Sequence, residues 1–190
     1  MSSTTADPVA WSRVDVSAGL GVGAVLAEPG GYRLEAGETV ADGGDRFSTR
    51  VTVHADLAWS SRSARVEVLS SGGASAVELA RQAGGWSVDG VRVPELDGCA
   101  DIDVAATPLT NTLPIRRLGL RPGEYRDISA VWVDVPSLRV RRLGQRYTRL
   151  YPSEGRDRYE YRDTAFGAFV LSVDRDGVVV DYEGLAVRVH

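Results

Sequence analysis

The sequence predicts a mostly β protein: a single curved antiparallel sheet, or open half-barrel, with one short helix or covering segment. Runs of alternating apolar and polar residues recur along the 190 residues, which is typical of half-buried strands. The 21 glycines and 8 prolines supply many turns, and long helical periodicity is scarce. A sheet of about nine strands or more must curl or close to protect its edges, so it has an inside.

The expected organisation is a disordered tail over residues 1–9 and one β-rich domain over residues 10–190. Apolar residues make up 43% of the chain and charged residues 25%, which is typical of a globular protein. Trp11–Leu34 is rich in glycine and weakly patterned, and it predicts a strand or two with tight turns. No Gly-Lys-Ser/Thr follows its glycines, so they do not form a phosphate-binding loop.

The clearest strand signal in the first half is Phe47–Trp59, which alternates with period two. Ala64–Leu69 predicts the next strand. Val77–Gln82 and Gly85–Val88 flank Ala83-Gly84 and therefore predict a hairpin.

Five further strands are predicted in the second half, separated by turn residues such as Pro136 and Asp176-Gly177. They are Ile128–Val135, Leu138–Tyr151, Tyr159–Asp163, Ala165–Val173 and Val178–Tyr182. One short helix is expected between Leu96 and Asp127, where Pro108 and Pro114 exclude a long one.

An internal repeat is indicated at an offset of 92 residues, where a strand, a glycine turn and a second strand ending in Asp recur. Either two hairpins are alike by chance, or two pseudo-repeated β-meanders wrap around one interior. The matching pairs are Leu79 and Leu171, Gly85 and Gly177, Val88 and Val180, and Asp89 and Asp181.

Composition excludes several classes of function. The net charge of −4 argues against nucleic-acid binding. Cys99 is the only cysteine, so it forms no internal disulfide, and we expect a buried structural thiol. Two histidines are too few for a Ser-His-Asp hydrolase or a typical zinc site, and no cofactor or metal is expected.

No signal peptide or transmembrane segment is recognisable, which predicts a cytoplasmic protein. The sequence leaves the oligomeric state open.

The unusual segment is Gly98–Leu118, which is long for a connection, half apolar and rich in hydrogen-bonding groups. Asp101 and Asp103 could serve acid/base chemistry or hold a metal, or they could fix the segment by accepting bonds from amides or arginines. Asn111 suits either a turn or a sugar. Arg116 and Arg117 suit an anionic headgroup or an ion pair with these aspartates.

The segments Gly98-Cys-Ala-Asp-Ile-Asp103 and Thr107-Pro-Leu-Thr-Asn-Thr-Leu-Pro-Ile-Arg-Arg-Leu118 resemble the signature of a bacterial family described as "putative glycolipid-binding". Further matches extend over most of the chain from Trp86 onward. They are Trp86-Ser-Val-Asp-Gly90, Trp132-Val-Asp-Val-Pro136-Ser-Leu, Tyr147-Thr-Arg149, Arg158-Tyr-Glu-Tyr161 and Val173-Asp-Arg-Asp-Gly177-Val-Val-Val-Asp-Tyr182. The resemblance implies a fold like that of bacterial lipoprotein carriers, with a covering element over an apolar concavity, and a lipid or glycolipid ligand.

The leading functional hypothesis is non-covalent binding of an amphiphile, such as a glycolipid or fatty-acyl compound, in the concave sheet. The alternatives are an enzyme acting on a glycoside or phosphate through Asp101 and Asp103, and a structural protein with a self-filled interior. Binding is favoured over catalysis. The candidate ligand-binding residues are Asp101, Asp103, Thr110, Asn111, Arg116, Trp86, Tyr147, Arg149, Tyr159 and Tyr161.

Overall fold

The computed structural model describes residues 7–83 and 85–189, in fifteen strands and one α-helix. The strands are β1 Val9–Arg13, β2 Ala18–Glu28, β3 Gly31–Asp42, β4 Asp45–Asp56, β5 Ser61–Ser70, β6 Gly73–Gln82, β7 Gly85–Val88, β8 Val91–Arg92, β9 Asp101–Val104, β10 Tyr125–Val133, β11 Val140–Ser153, β12 Arg156–Asp163, β13 Gly167–Val173, β14 Val179–Tyr182 and β15 Ala186–Val189. The helix α1 is Thr112–Leu118, and 3₁₀ turns cover Pro94–Leu96 and Pro108–Asn111.

All fifteen strands form one curved sheet that does not close into a barrel, as the sequence predicted. Their order is β8-β7-β6-β5-β4-β3-β2-β1-β15-β14-β13-β12-β11-β10-β9. The first and last strands therefore pair with each other inside the sheet, and β8 and β9 form its two edges. Every neighbouring pair is antiparallel except β9 and β10.

The β9 edge is held against the body of the sheet by hydrogen bonds to the start of β5. The Ser61 amide donates to the Ala100 carbonyl at 2.8 Å, and the Ile102 amide donates to Ser61 Oγ at 3.0 Å. The indole Nε1 of Trp86 donates to the Cys99 carbonyl at 3.0 Å. These bonds satisfy polar groups that an open edge would otherwise leave without partners.

Alternation of burial follows the predicted period in β4, where Thr49, Val51, Val53 and Ala55 are buried and Arg50 is exposed. The strand ends at Asp56 rather than at Trp59. The Asp56 carboxylate accepts the Ala58 and Ser60 amides, at 2.9 and 3.0 Å, and so stabilises a turn there.

The N-terminal part holds more strand than the sequence predicted, since Trp11–Leu34 covers β1, β2 and the start of β3. Strand β15 was also not predicted. The short helix is confirmed as α1. Residues 1–6 of the expected tail and Gly84 of the predicted hairpin turn lie outside the described residues, and Val9 already begins β1.

The element bounds support the predicted repeat. When 92 is added to their residue numbers, the five strands from β3 to β7 overlap the five strands from β10 to β14 in order. Strand β1 overlaps β9 in the same way. The same shift brings β2 onto the region of α1. In the first copy β2 lies between β1 and β3, whereas β9 pairs directly with β10. The helix therefore replaces one strand of the repeat.

Among the described residues, no helix is long and apolar enough to cross a membrane.

Candidate functional site

The covering segment, which we define as residues 105–118, carries the sequence inward after β9. Its 3₁₀ turn contributes Leu109 and its helix contributes Leu113 to the larger apolar core, and both side chains are fully buried. Ile115 belongs to a second core with the tyrosines of β11 and β12. The segment thus lies across the inside of the sheet.

Local sequence sets the course of the covering segment. The Thr107 hydroxyl accepts the Leu109 amide at 3.4 Å, and Pro108 occupies the first position of the 3₁₀ turn, where no amide donor is needed. Gly119 adopts a left-handed conformation (φ 53°), which ends α1.

Within the described part of the chain, a cavity lies at each end of the sheet's interior, with the covering segment between the two. The end cavity, of about 490 Å³, lies where β1, β3, β9, β10, β12 and β14 finish. Its lining is Arg13, Asp15, Val16, Val40, Asp42, Asp45, Phe47, Asp103–Thr107, Asn111, Trp132, Asp134–Pro136, Tyr161, Asp163, Phe166, Phe169, Tyr182, Gly184 and Leu185. The opposite cavity, of about 430 Å³, is lined by Tyr32, Trp59, Leu109, Arg116 and neighbouring residues. Both volumes are in the range of small-molecule sites.

A hydrogen-bond network supports the inner part of the end cavity. Gln145 Nε2 donates to Asp103 Oδ2 at 2.6 Å and to the Tyr161 hydroxyl at 3.1 Å. Thr110 Oγ1 donates to the other Asp103 oxygen at 3.0 Å. The Tyr161 hydroxyl proton has no acceptor among the described residues, so it is available to a ligand.

Burial and charge perturb the acids and phenols of this network. Burial raises the pKa of Asp103 to about 6, against the hydrogen bonds from Gln145 and Thr110, and the charge of Asp163 adds to the rise. Burial also raises the pKa of Tyr161 and Tyr182, and the charge of Asp103 adds to both shifts. Both phenols therefore remain neutral donors near pH 7.

Aromatic rings supply much of the apolar wall. The rings of Trp132 and Phe166 lie 5.6 Å apart. Tyr161, Phe169 and Tyr182 form a second cluster with centroid separations of 6.5, 6.1 and 5.8 Å. Stacked and tilted aromatics at such distances form surfaces that suit the apolar face of a sugar ring or an alkyl chain.

Beside the end cavity, Glu38 of β3 is buried, and neither carboxylate oxygen has a hydrogen-bond partner among the described residues. Burial raises the pKa of Glu38 to about 7, and the nearby Thr107 hydroxyl and Arg13 guanidinium only partly offset this. The carboxyl lies over Gly21 of β2, where a Cβ would overlap it.

Three of the predicted site residues line the end cavity: Asp103, Asn111 and Tyr161. Thr110 lies behind them and bonds Asp103. The Tyr147 hydroxyl donates to Asn111 Oδ1 at 2.8 Å and so fixes that side chain. The rings of Tyr147 and Tyr161, 5.3 Å apart, bring this pair against the residues that Gln145 and Thr110 join to Asp103.

The other predicted residues lie elsewhere. Arg116 lines the opposite cavity, with its guanidinium 5.0 Å from the centroid of the Trp59 ring. Trp86 and Tyr159 are buried in the two cores. Arg149 pairs with Asp157 and donates to the Leu120 carbonyl at 2.7 Å.

The carboxylate of Asp101 is bonded to a neighbouring side chain and lines neither cavity. Both of its oxygens accept from the Arg117 guanidinium, at 2.9 and 2.5 Å, and the aspartate is almost fully buried. This is the ion pair that the sequence left open as an alternative. Cys99 is buried as expected, and burial raises the pKa of its thiol.

Several lining residues were not among the predicted site residues, notably Trp132, Asp163, Phe166, Phe169 and Tyr182. Trp132 stands in one of the motifs quoted above. The strongest missed signal is Phe166, a bulky aromatic in a tight turn that has no core to fill and is 57% exposed.

Comparisons with known proteins find a matching family model and similar solved structures. The model of a family described as "Putative glycolipid-binding" matches residues 8–188. A crystal structure of a DUF1089 family protein from Pseudomonas aeruginosa is 34% identical, with a TM-score of 0.75, over 89% of this chain and 92% of that one.

A beta-barrel-like protein of domain of unknown function DUF1849 from Brucella abortus is 11% identical, with a TM-score of 0.53, over 98% of this chain and 96% of that one. That similarity shows the fold alone. No curated protein matches the chain.

Proposed function

Because this chain belongs to the family described as putative glycolipid-binding, we propose that its end cavity binds an amphiphilic molecule non-covalently. The observation that carries the proposal is the composition of the cavity, which joins a fixed polar group to aromatic walls in about 490 Å³. A hydroxylated headgroup would bond the polar group, and an alkyl chain would lie along the aromatic wall.

The polar group offers both kinds of partner that a sugar hydroxyl needs. Asp103 is held by Gln145 and Thr110 and accepts hydrogen bonds, while the Tyr161 hydroxyl has a free proton to donate. Tyr182 adds a second hydroxyl, which has no partner among the described residues. Since the protein already fixes Asp103 and Tyr161, a ligand would lose little by ordering them.

The geometry supports binding better than an enzyme that acts through Asp101 and Asp103. Acid/base chemistry on a glycoside uses two available carboxyl groups, one on each side of the bond. Both oxygens of Asp101 accept hydrogen bonds from Arg117, and Asp101 does not line the end cavity, whereas Asp103 does. The self-filled interior is realised only in part, because the covering segment leaves a cavity at each end.

The proposal is tested by titrating the full chain with octyl β-D-glucoside below its micelle concentration, using calorimetry and tryptophan fluorescence. Phe166→Ala removes an exposed aromatic of the cavity, and Tyr182→Phe removes an unpartnered hydroxyl. We expect each to weaken binding about threefold to tenfold, with the melting temperature unchanged.

The matched control is Tyr151→Ala, which removes an exposed aromatic outside both cavities. It should leave affinity unchanged. No saturable binding by the unmodified chain, or equal losses in the control and in Phe166→Ala, would contradict the proposal.

A further inference from the structure

The lining of the end cavity is strongly and unevenly charged. It contains six aspartates and one arginine, Arg13. The aspartates are Asp15, Asp42, Asp45, Asp103, Asp134 and Asp163. Asp15, Asp42 and Asp45 are exposed to solvent, whereas Asp163 is buried. Carboxylates of one sign around a cleft concentrate negative potential there, so this arrangement favours a cationic occupant.

The single arginine does not balance the cavity. The Arg13 guanidinium donates to both oxygens of Asp15, at 2.8 and 2.5 Å, and to the Ala106 carbonyl at 3.0 Å. Arg13 and Asp15 therefore neutralise one another. None of the other five carboxyl groups has an arginine within ion-pair distance among the described residues, although Asp101, Asp127 and others elsewhere do.

Four of these five groups, all but Asp103, keep an oxygen without a donor among the described residues. Asp163 Oδ1 accepts the Ala165 and Phe166 amides, which leaves Oδ2 without a protein donor. Asp134 accepts only the Ser137 hydroxyl through Oδ2. Asp45 accepts no hydrogen bond among the described residues.

A buried acceptor next to the cavity also lacks a donor. Gln145 is almost fully buried and spends both amide protons on Asp103 and Tyr161, which line the cavity, while its Oε1 has no partner among the described residues. Gln145 does not itself line the end cavity and its Oε1 is inaccessible, so its part is to hold Asp103 and Tyr161 in place for a ligand.

The aromatic walls suit a cation as well as an alkyl chain. Ammonium groups bind to the faces of aromatic rings, and clusters of such rings are the usual recognition device for them. Tyr161, Phe169 and Tyr182 form such a cluster beside Asp103 and Asp163. Among the residues that the structure describes, no three acidic or histidine side chains converge as metal ligands would, which favours an organic cation over a metal ion.

Building on the proposed function, we propose that the headgroup bound in the end cavity carries a protonated amino group, as in an amino sugar. The ammonium lies among the carboxylates and aromatic rings, donates to their free oxygens, and leaves the alkyl chain along the apolar wall. Headgroups bearing phosphate or carboxylate are rejected because they add negative charge to a cavity that already holds an excess of it.

The test compares three probes that share one octyl chain: octyl β-D-glucoside, octyl 2-amino-2-deoxy-β-D-glucoside and octyl β-D-glucuronide. Calorimetric titration of the full chain at pH 7 and low salt should give about tenfold tighter binding of the amine than of the neutral glucoside. The glucuronide should bind at least tenfold more weakly than the glucoside. The preference for the amine should shrink in high salt.

Asp45→Asn combined with Asp134→Asn removes two charges of the lining while preserving its shape. We expect this variant to lose most of the preference for the amine over the neutral glucoside. The control is Asp181→Asn, which removes an exposed charge outside the end cavity and should retain the full preference.

The outcomes separate this inference from the proposed function. Binding of the glucoside without a preference for the amine, or equal binding of the glucuronide, would overturn the inference alone. A preference that survives in the double variant would also overturn it. Failure of all three probes to bind would overturn both.

Discussion

At the scale of single residues, the most constrained position is Glu38, a carboxyl group buried beside the end cavity with no hydrogen-bond partner among the described residues. Its neighbours Arg13 and Asp15 are engaged with each other, so the guanidinium does not satisfy it. Protonation is the simplest way for such a group to remain buried.

The pH dependence of folding stability follows from this burial. The folded-state pKa of Glu38, about 7, lies above its ordinary value of 4.5, so the folded protein holds the proton more tightly than the unfolded chain. The stability that Glu38 contributes is therefore complete below about pH 4.5 and is lost as the pH rises through 7. Glu38→Gln stays neutral at every pH. Its free energy of unfolding, measured relative to that of the unmodified protein, should therefore rise by up to about 3 kcal/mol from pH 5 to pH 8.

Urea unfolding at both pH values measures this difference. Glu95→Gln, at an exposed position, provides the control and should follow the unmodified protein. Parallel pH profiles of Glu38→Gln and the unmodified chain would show that Glu38 is not perturbed by burial.

A second prediction concerns the glycine beneath Glu38. Gly21→Ala places a methyl group where the Glu38 carboxylate lies, so one of the two must move. We expect a loss of about 1–3 kcal/mol in free energy of unfolding, as for other overpacked interiors. Glu38→Ala in the same chain should recover most of that loss, and additive losses in the double variant would contradict the contact.

At the scale of elements, β2 shows why part of the fold escaped prediction. Its inward positions are Gly19, Gly21 and Gly23, and its apolar residues Leu20 and Val22 face outward and are half exposed. The glycines leave room for side chains of other elements, since Cβ atoms there would meet Arg13, Glu38 and Leu109. The usual pattern of apolar residues inside is thus inverted, and sequence periodicity alone does not detect such a strand.

The site shows the same limit. Asp103, Asn111 and Tyr161 were predicted because they stand in conspicuous motifs, and they do meet in the end cavity. Trp86 stands in a similarly conspicuous motif but bonds the Cys99 carbonyl within the core. A motif does not reveal whether its side chain lines a cavity or packs within the core.

A buried ion pair joins the covering segment to β9. Arg117 of α1 pairs with Asp101 of β9, and burial raises the pKa of Asp101 although the guanidinium opposes the rise. Arg117→Met should cost about 3 kcal/mol in free energy of unfolding, because it leaves a buried carboxyl group without its partner.

The measurement is again urea unfolding at pH 7. Asp101→Asn in the Arg117→Met background should restore much of the stability, since a neutral amide needs no countercharge. If Arg117→Met, Asp101→Asn and the double variant all have the same free energy of unfolding as the unmodified protein, the ion pair does not position the segment.

At the scale of the whole molecule, β1 and β15 form a seam between the two halves of the repeat. The Trp11 indole donates to the Val179 carbonyl at 2.9 Å across this seam, and Trp11 is fully buried. Most other neighbouring strands are joined by short turns, whereas the seam joins strands more than 170 residues apart in the chain.

Contacts between distant parts of a chain cost the most entropy to form, so we expect the seam to assemble after the transition state for folding. Trp11→Phe should accelerate unfolding and leave the folding rate nearly unchanged. Stopped-flow kinetics in urea measure both rates. If the seam formed before the transition state, Trp11→Phe would slow folding instead. Val66→Ala, in the middle of a local meander, serves as the comparison.

The pairing of β1 with β15 also relates the order of strands in the sheet to their order in the sequence. The two orders become the same if the chain is cut between β8 and β9 and its original ends are joined. Read from β9 through β15 and then from β1 to β8, each strand lies beside the next one in the sheet, and only β9 and β10 run parallel. A circularly permuted chain, with a linker from β15 to β1 and new ends near Gly98, would therefore keep every strand pairing. Its new ends would lie beside the edge strands β8 and β9, away from the strand ends that line the end cavity, where fused domains or labels could be attached.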